Sequence, residues 1–124
     1  MTRRILIIDD SILVRELARA VLGASGWTID LAASGEEGTE RAAAEVPDAI
    51  LLDVEMDGID GRETLRRLRA HERTRDVPVA FLTAHDRDED LRELEALGAV
   101  ALIIKPVAPV TFASRVAAAF GWVL

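Results

Sequence analysis

The sequence has no cysteine, no long run of apolar residues and no excess of positive charge. Without cysteine the chain can form neither a disulfide nor a thiolate metal site, and nothing indicates an oxidising compartment. The apolar run Ile5–Ile8 that follows two arginines is too short for the core of a signal peptide. No other run approaches the roughly 18–20 apolar residues of a membrane span. We therefore expect a soluble, cytoplasmic protein that makes no membrane contact.

The balance of residue types is that of one globular domain. The chain has 124 residues, of which 50% are hydrophobic and 30% are charged. The net charge of −7 argues against direct binding of nucleic acid, which depends on Lys and Arg, and suits a domain that holds divalent cations. Because no linker, low-complexity segment or repeat is visible, we expect a single domain over residues 1–124 without an output domain.

Five short apolar runs rich in β-branched residues alternate with stretches of helical periodicity. The predicted strands are Arg4–Ile8, Thr28–Leu31, Ala49–Leu52, Val77–Leu82 and Val100–Ile104. Their continuous apolar character is typical of strands covered on both faces. Ser11 and Ser34 are predicted helix N-caps, and Gly26 and Gly98 are predicted left-handed residues where helices end. The pattern predicts an α/β fold, a doubly wound (βα)5 domain with a five-stranded parallel sheet and helices on both faces.

Three carboxylates, a hydroxyl and an ammonium follow four of these five strands. The residues after the strand ends are Asp9 and Asp10, then Asp53, then Thr83 with Ala84, and finally Lys105 with Pro106. In an open parallel sheet the ligand site lies beyond the carboxyl ends of the strands, so these side chains are expected to meet. Taken singly, the aspartates and Thr83 are more typical of a cap or a turn, and Lys105-Pro106 could simply end a strand; their combination favours a site.

Three carboxylates in one pocket require positive charge. Two unit charges about 4 Å apart repel by roughly 1–4 kcal/mol at effective dielectric constants between 80 and 20. Lys105 supplies one positive charge, and an oxygen-seeking Mg²⁺ or Mn²⁺ would supply two more. A carboxylate beside such a cation can act as a nucleophile towards phosphorus, with transfer depending on positioning and charge neutralisation.

The four strand ends resemble those of the receiver domains of bacterial two-component systems, in particular of chemotaxis-regulator-like single domains. The resemblance runs from about Arg4 to about Phe120 and rests on four motifs, Ile-Ile-Asp9-Asp10-Ser, Leu-Leu-Asp53-Val-Glu-Met with Asp60-Gly61, Phe-Leu-Thr83-Ala84 and Ile-Ile-Lys105-Pro106. It implies the flavodoxin-like strand order 2-1-3-4-5. It also implies a signalling switch phosphorylated by a histidine kinase or a phosphotransfer protein, which signals to an unknown downstream protein.

The resemblance also assigns roles residue by residue. Asp53 is implied as the phosphoacceptor, with Thr83 and Lys105 contacting phosphoryl oxygens. Asp9, Asp10, Asp53 and the backbone carbonyl of Glu55 are implied as the Mg²⁺ ligands. The Lys105–Pro106 bond is expected to be cis. Beyond catalysing its own phosphorylation and dephosphorylation, the domain is not expected to be an enzyme.

The chain departs from the family pattern at several positions. Asp57 stands where proline is usual, which predicts a more flexible and more acidic loop. Glu55 and His85 occupy positions that tune the lifetime of the phosphoryl group in the family. Leu102 replaces the usual switch aromatic. His85 and His71 are otherwise predicted to be surface residues.

The C-terminal segment is unusually apolar, since Arg115 is the one charged side chain from Val110 to Leu124. We expect it to expose an apolar surface for a partner or for self-association, formed by Phe112, Val116, Phe120 and Trp122.

Other functions remain open. A pseudo-receiver that binds partners without phosphate is one, since Leu102 lacks the aromatic ring. A Mg²⁺-dependent phosphatase with an aspartyl-phosphate intermediate is another, with Glu55 as its second acid. A flavin carrier is disfavoured because Asp9 and Asp10 would repel the flavin phosphate.

Overall fold

The computed structural model describes residues 2–124 and contains five strands and five helices in strict alternation. The strands are β1 (Arg4–Ile8), β2 (Thr28–Ala32), β3 (Ala49–Asp53), β4 (Val79–Thr83) and β5 (Ala101–Ile104). The helices are α1 (Ile12–Gly23), α2 (Gly35–Ala44), α3 (Gly61–Ala70), α4 (Asp88–Ala96) and α5 (Pro109–Phe120). The predicted (βα)5 alternation is therefore confirmed. None of the helices in the described range has the length and apolar character needed to cross a bilayer.

All strands are parallel and lie in the order β2-β1-β3-β4-β5, which confirms the expected topology. The register places Ile8 opposite Leu52, Leu52 opposite Phe81, and Phe81 opposite Leu102. The carboxyl ends of β1, β3, β4 and β5 are thus level with one another. Strand order reverses between β1 and β3, which is where the carboxyl ends of a doubly wound sheet form a crevice.

Two hydrophobic clusters cover the two faces of the sheet. Ile5, Ile7 and Leu82 pack against residues of α1 and α5, whereas Leu6, Ile8 and Leu52 pack against residues of α2, α3 and α4. Every residue of β3 and β4 is buried because both faces are covered. This explains why these strands are continuously apolar in the sequence.

The ends of the elements follow local rules, with small differences from the prediction. Ser11 and Ser34 cap α1 and α2 by accepting hydrogen bonds from the N–H groups of Val14 and Glu37. Gly26 and Gly98 have φ of 89° and 101°, as expected for left-handed turns. The strand predicted over Val77–Leu82 occupies Val79–Thr83 instead, since Pro78 has no N–H to donate to the sheet.

The expected surface on the C-terminal helix is wrong for two of its four residues. Phe112 and Val116 are fully buried in the cluster beneath α1 and α5, and Phe120 and Trp122 are half-buried against the same cluster. The exposed residues of α5 are mostly small, Thr111, Ser114 and Ala118, with Val110 (95% exposed) in its first turn. The prediction counted large apolar residues without assigning them to faces of the helix, and spacings of four place them on the inward face.

Candidate functional site

Four of the predicted site residues meet at the carboxyl edge of the sheet. Asp9 follows β1 directly, Asp53 and Thr83 end β3 and β4, and Lys105 follows β5. Backbone hydrogen bonds hold these ends in place: the N–H of Asp9 donates to the Ala32 carbonyl at 3.1 Å, and the N–H of Lys105 donates to the Thr83 carbonyl at 2.7 Å. Asp9 and Thr83 are 0% exposed and Asp53 is 4% exposed. The sheet register therefore builds this buried polar pocket.

Lys105 is the cation of the pocket. Its Nζ atom lies 3.0 Å from Oδ2 of Asp9 and donates a hydrogen bond of 3.1 Å to Oδ1 of Asp53. Burial of the ammonium lowers the pKa of Lys105, but the contacts with the Asp9 and Asp53 carboxylates outweigh it, so the pKa is raised. Lys105 is therefore charged and neutralises part of the carboxylate charge.

The charge on Asp53 is nevertheless disfavoured. Burial is the largest cause that raises the pKa of Asp53, and the nearby charge of Asp9 adds to it, so that the pKa reaches about 7 in spite of Lys105. A single ammonium is thus insufficient for two buried carboxylates. The pocket favours further positive charge.

The donor set fits a hard divalent cation. One carboxylate oxygen from each of Asp9, Asp10 and Asp53 lies within 4.8 Å of the others. Among buried side-chain polar atoms in residues 2–124, Oδ2 of Asp9 alone has no hydrogen-bond partner, since Lys105 contacts it as an ion pair only. Asp10 is exposed and accepts a 3.1 Å hydrogen bond from the N–H of Asp57. Three carboxylates with an unsatisfied buried oxygen form a ligand set that Mg²⁺ or Mn²⁺ prefers.

Thr83 and the loop after β4 lie beside this pocket. The Oγ1 atom of Thr83 accepts a 3.0 Å hydrogen bond from the backbone N–H of His85. Ala84, between them, is exposed. The Lys105–Pro106 peptide bond is cis. A movement of the Thr83 hydroxyl would thus act directly on the backbone of this loop.

Glu55 and His85 are joined across the mouth of the site. Nε2 of His85 lies 2.8 Å from Oε1 of Glu55, and Nδ1 lies 3.5 Å from Oδ2 of Asp90 in the first turn of α4. This hydrogen bond with Glu55 is the main cause that raises the pKa of His85. His85 was predicted to be a surface residue, but its ring is only partly exposed. Asp90 was missed because it lies in a run of acidic residues that looked uniformly solvated.

Leu102 and Asp57, the other two departures from the family pattern, lie outside the carboxylate pocket. Leu102 is half-buried and packs against the cluster that includes Phe81 and Leu94. Asp57 is exposed in the loop between β3 and α3. Gly61 begins α3 against the strand end of Asp53, where an added Cβ would lie 2.3 Å from the Asp53 carbonyl oxygen. This glycine lets α3 approach the backbone of the central site residue.

An open apolar groove borders the pocket on the α1 side. It has a volume of about 390 Å³ and is lined by residues of α1, including Leu13 and Leu17, and by Lys105, Pro106 and Val107. Leu13 is 79% exposed, and Ile12, the residue before it, is 64% exposed. The Lys105 side of the site is therefore continuous with an apolar surface.

A doubly wound (βα)5 domain with an acidic pocket and a lysine at the carboxyl edge defines the class of signalling domain that the sequence motifs indicated. The sequence model of the response regulator receiver domain matches residues 5–117, and the chain belongs to this family of two-component signalling domains. Receiver domains interact with histidine kinases or phosphotransfer proteins and bind Mg²⁺ through an acidic pocket.

Curated relatives and solved structures agree with this family. The response regulator MprA of Mycobacterium ulcerans is 42% identical over 87% of the chain, and PleD of Caulobacter vibrioides is 38% identical over 94%. The chain covers 46% of that MprA and 26% of PleD, so it spans less than half of either relative. The chemotaxis response regulator CheY4 of Vibrio cholerae superposes with a TM-score of 0.90 at 28% identity, covering 96% of this chain and 99% of CheY4.

Proposed function

We propose that this receiver domain is a phosphorylation-dependent switch in which Asp53 accepts a phosphoryl group from a histidine kinase or a phosphotransfer protein. In this reaction a carboxylate oxygen of Asp53 forms a bond to phosphorus. The phosphorus–nitrogen bond of the donor phosphohistidine breaks, and its electron pair stays on the imidazole. Apart from this reaction and the loss of its own phosphoryl group, no enzymatic activity is proposed.

One observation supports the proposal above all. Asp53 lies between a lysine ammonium 3.1 Å away and two further carboxylates that can share a cation with it. Because phosphoryl transfer depends on positioning and charge neutralisation more than on a strong base, a fixed carboxylate with cationic neighbours is what the reaction requires. We expect Lys105 to neutralise a phosphoryl oxygen on Asp53 and the Thr83 hydroxyl to donate to another.

Asp9, Asp10 and Asp53 would hold Mg²⁺ or Mn²⁺, and we include the backbone carbonyl of Glu55 as a further ligand. When bound, the ion would supply positive charge for the oxygens of the transferred group. The residues themselves perform two tasks. Asp9 retains Lys105 through its ion pair, and Asp10 fixes the β3–α3 loop through the N–H of Asp57.

A phosphatase acting on other molecules is less well supported. That reaction would need the Glu55 carboxyl group as an acid beside Asp53. The Glu55 side chain is instead 62% exposed and held by His85. The arrangement therefore favours an acceptor of phosphoryl groups over a hydrolase for external esters.

The phosphodonor protein would approach over the apolar groove beside Lys105. Ile12 and Leu13 are exposed at the start of α1, one residue after the acidic pair Asp9 and Asp10. A helical donor with apolar residues around its histidine could cover this surface while presenting the phosphoryl group to Asp53.

The proposal is tested by intact-mass measurement after incubation with Mg²⁺ and acetyl phosphate. We expect one phosphoryl adduct that disappears in Asp53→Asn and in EDTA. Asp57→Asn, which changes a neighbouring exposed carboxyl group, serves as the matched control and should keep the adduct. Absence of any adduct in the unaltered protein would favour the pseudo-receiver, which the leucine at position 102 also suggests. Steady phosphate release from unrelated esters would favour the phosphatase.

A further inference from the structure

The loop after β4 connects the buried hydroxyl of the site to the first turn of α4. Oγ1 of Thr83 accepts the His85 N–H at 3.0 Å, and the imidazole of the same residue contacts Asp90 of α4 at 3.5 Å. One residue thus carries a backbone contact to the site and a side-chain contact to a helix. Its other ring nitrogen contacts Glu55 at 2.8 Å. His85 therefore also contacts the loop after β3.

Helix α4 is held by few interactions, so the loss of one contact at its first turn can change the position or the fraying of the helix. Within residues 88–96, all of which the structure describes, Leu94 is the one buried side chain. The N-cap residue Arg87 makes no side-chain capping hydrogen bond. Elsewhere on the helix, Arg62 of α3 forms a 3.2 Å ion pair with Glu93. A helix with little buried surface and no capping bond shifts or frays at small cost in free energy.

Leu102 stands where the family usually has its switch aromatic, so that aromatic cannot transmit a change at Thr83 in this chain. Leu102 packs beneath α4 in the same cluster as Leu94. Its aliphatic side chain has no polar group to follow the Thr83 hydroxyl. A displaced hydroxyl changes its hydrogen bonds directly, and His85 is bonded to that hydroxyl through its N–H.

We propose that His85 is a positioning residue that transmits the state of Thr83 to the first turn of α4. The inference rests on the proposed function, since phosphorylation of Asp53 provides the force on Thr83. When the Thr83 hydroxyl turns towards a phosphoryl oxygen, the His85 backbone follows or loses its acceptor. The imidazole then cannot keep both Glu55 and Asp90. The contact with Asp90 is the longer of the two, so it breaks first and the first turn of α4 is released.

The test separates binding at the site from the response of the helix. Hydrogen–deuterium exchange is measured over residues 86–97 with Mg²⁺, with and without beryllofluoride, a stable mimic of the phosphoryl group, and fluorine NMR verifies that it is bound. In the unaltered protein we expect exchange of these amides to rise by about threefold or more on binding. In His85→Ala the mimic should still bind, but the change on binding should fall to less than about a third of that.

Two further variants keep the inference testable if His85→Ala folds poorly. Asp90→Ala removes only the α4 end of the link and should also abolish the change, whereas His85→Gln, which retains a donor, should restore part of it. His71→Ala changes an exposed histidine that contacts neither Thr83 nor α4 through a hydrogen bond or ion pair, and it should behave as the unaltered protein. An undiminished α4 response in His85→Ala or Asp90→Ala would overturn the inference alone. Failure of the unaltered protein to form the acetyl phosphate adduct would overturn the proposed function, and this inference with it.

Discussion

At the scale of single residues, Asp53 is a carboxyl group whose surroundings disfavour its charge. Its folded-state pKa of about 7 exceeds the ordinary value of 3.8, mainly through burial. The folded state therefore binds the proton more tightly than the unfolded state, and without metal the stability contributed by this group is lost as pH rises from about 4 to about 7. The same residue that we propose as phosphoacceptor is thus a source of instability in the metal-free domain.

Asp53→Asn should accordingly stabilise the metal-free protein at alkaline pH. At pH 8 in EDTA we expect the free energy of unfolding to increase by about 1–4 kcal/mol, because the amide has no charge to bury. Near pH 4 the difference should shrink towards zero. Urea denaturation at both pH values measures the effect. A difference between the two proteins that does not vary with pH would contradict the account of Asp53.

Asp10 and Asp57 offer a matched pair for the metal site. Both are exposed carboxylates near the pocket, but only Asp10 contributes an oxygen to the three-carboxylate group. Asp10→Asn should weaken Mg²⁺ binding by about tenfold or more, as loss of one charged ligand implies, whereas Asp57→Asn should change it by about twofold at most. Calorimetric titration with Mg²⁺ distinguishes them. Equal losses in the two variants would assign the effect to net charge and not to ligation.

Sequence reasoning placed Asp9, Asp53 and Lys105 in one pocket because parallel strands bring their carboxyl ends to a common edge. That inference needs only the strand positions. The contact between His85 and Asp90 could not be foreseen in this way, since it depends on how closely α4 lies to the loop before it. The unpaired oxygen of Asp9 and the raised pKa of Asp53 likewise follow from burial, which a sequence motif does not quantify.

At the scale of elements, the approach of α3 to β3 depends on Gly61. A Cβ there would meet the Asp53 carbonyl oxygen at 2.3 Å and the Val54 Cα at 2.8 Å, both of them backbone atoms that cannot move aside singly. Gly61→Ala should lower the free energy of unfolding by about 2–3 kcal/mol or more through overpacking. It should also reduce the rate of the acetyl phosphate reaction, because α3 would displace the strand end that carries Asp53.

Gly23 provides the control at the last position of α1. No atom lies within 4 Å of its added Cβ, so Gly23→Ala should be neutral or stabilise the protein by up to about 1 kcal/mol. Urea denaturation of the two variants beside the unaltered protein makes the comparison. If Gly61→Ala and Gly23→Ala changed the free energy of unfolding equally, the close approach of α3 to β3 would not explain the need for glycine at position 61.

The elements also show where a periodic pattern is sufficient and where it is not. Strands β3 and β4 were recognisable because both faces are buried, so every position is apolar. Helix α5 has an apolar inward face and an outward face of small residues such as Ser114 and Ala118. The expected surface came from counting the large apolar residues of this segment, two of which, Phe112 and Val116, are fully buried on the inward face. Assigning each side chain to a helix face would have avoided the error.

At the scale of the whole molecule, an aromatic group joins segments from the two ends of the described range. Trp122 contacts Trp27 with ring centroids 5.4 Å apart in an edge-to-face arrangement and Phe120 at 5.3 Å. The guanidinium carbon of Arg3 lies 4.5 Å from the centre of the Trp122 ring. The group lies beneath the sheet edge opposite the site, since it joins the residue before β1 to the residue before β2 and the segment after α5.

Trp122→Ala should therefore weaken the fold without affecting the chemistry. Loss of the ring contacts and of the cation–π contact is expected to lower the free energy of unfolding by about 1–3 kcal/mol, which is less than for a fully buried tryptophan because Trp122 is partly exposed. The rate of adduct formation with acetyl phosphate should stay within about twofold, because the site lies at the other edge of the sheet.

Val123→Ala, at a neighbouring residue that is 92% exposed, is the matched control and should leave the free energy of unfolding unchanged. Far-UV circular dichroism in urea measures stability independently of the lost tryptophan fluorescence. If Trp122→Ala and Val123→Ala were equally stable, the aromatic contacts of Trp122 would contribute nothing to the free energy of unfolding.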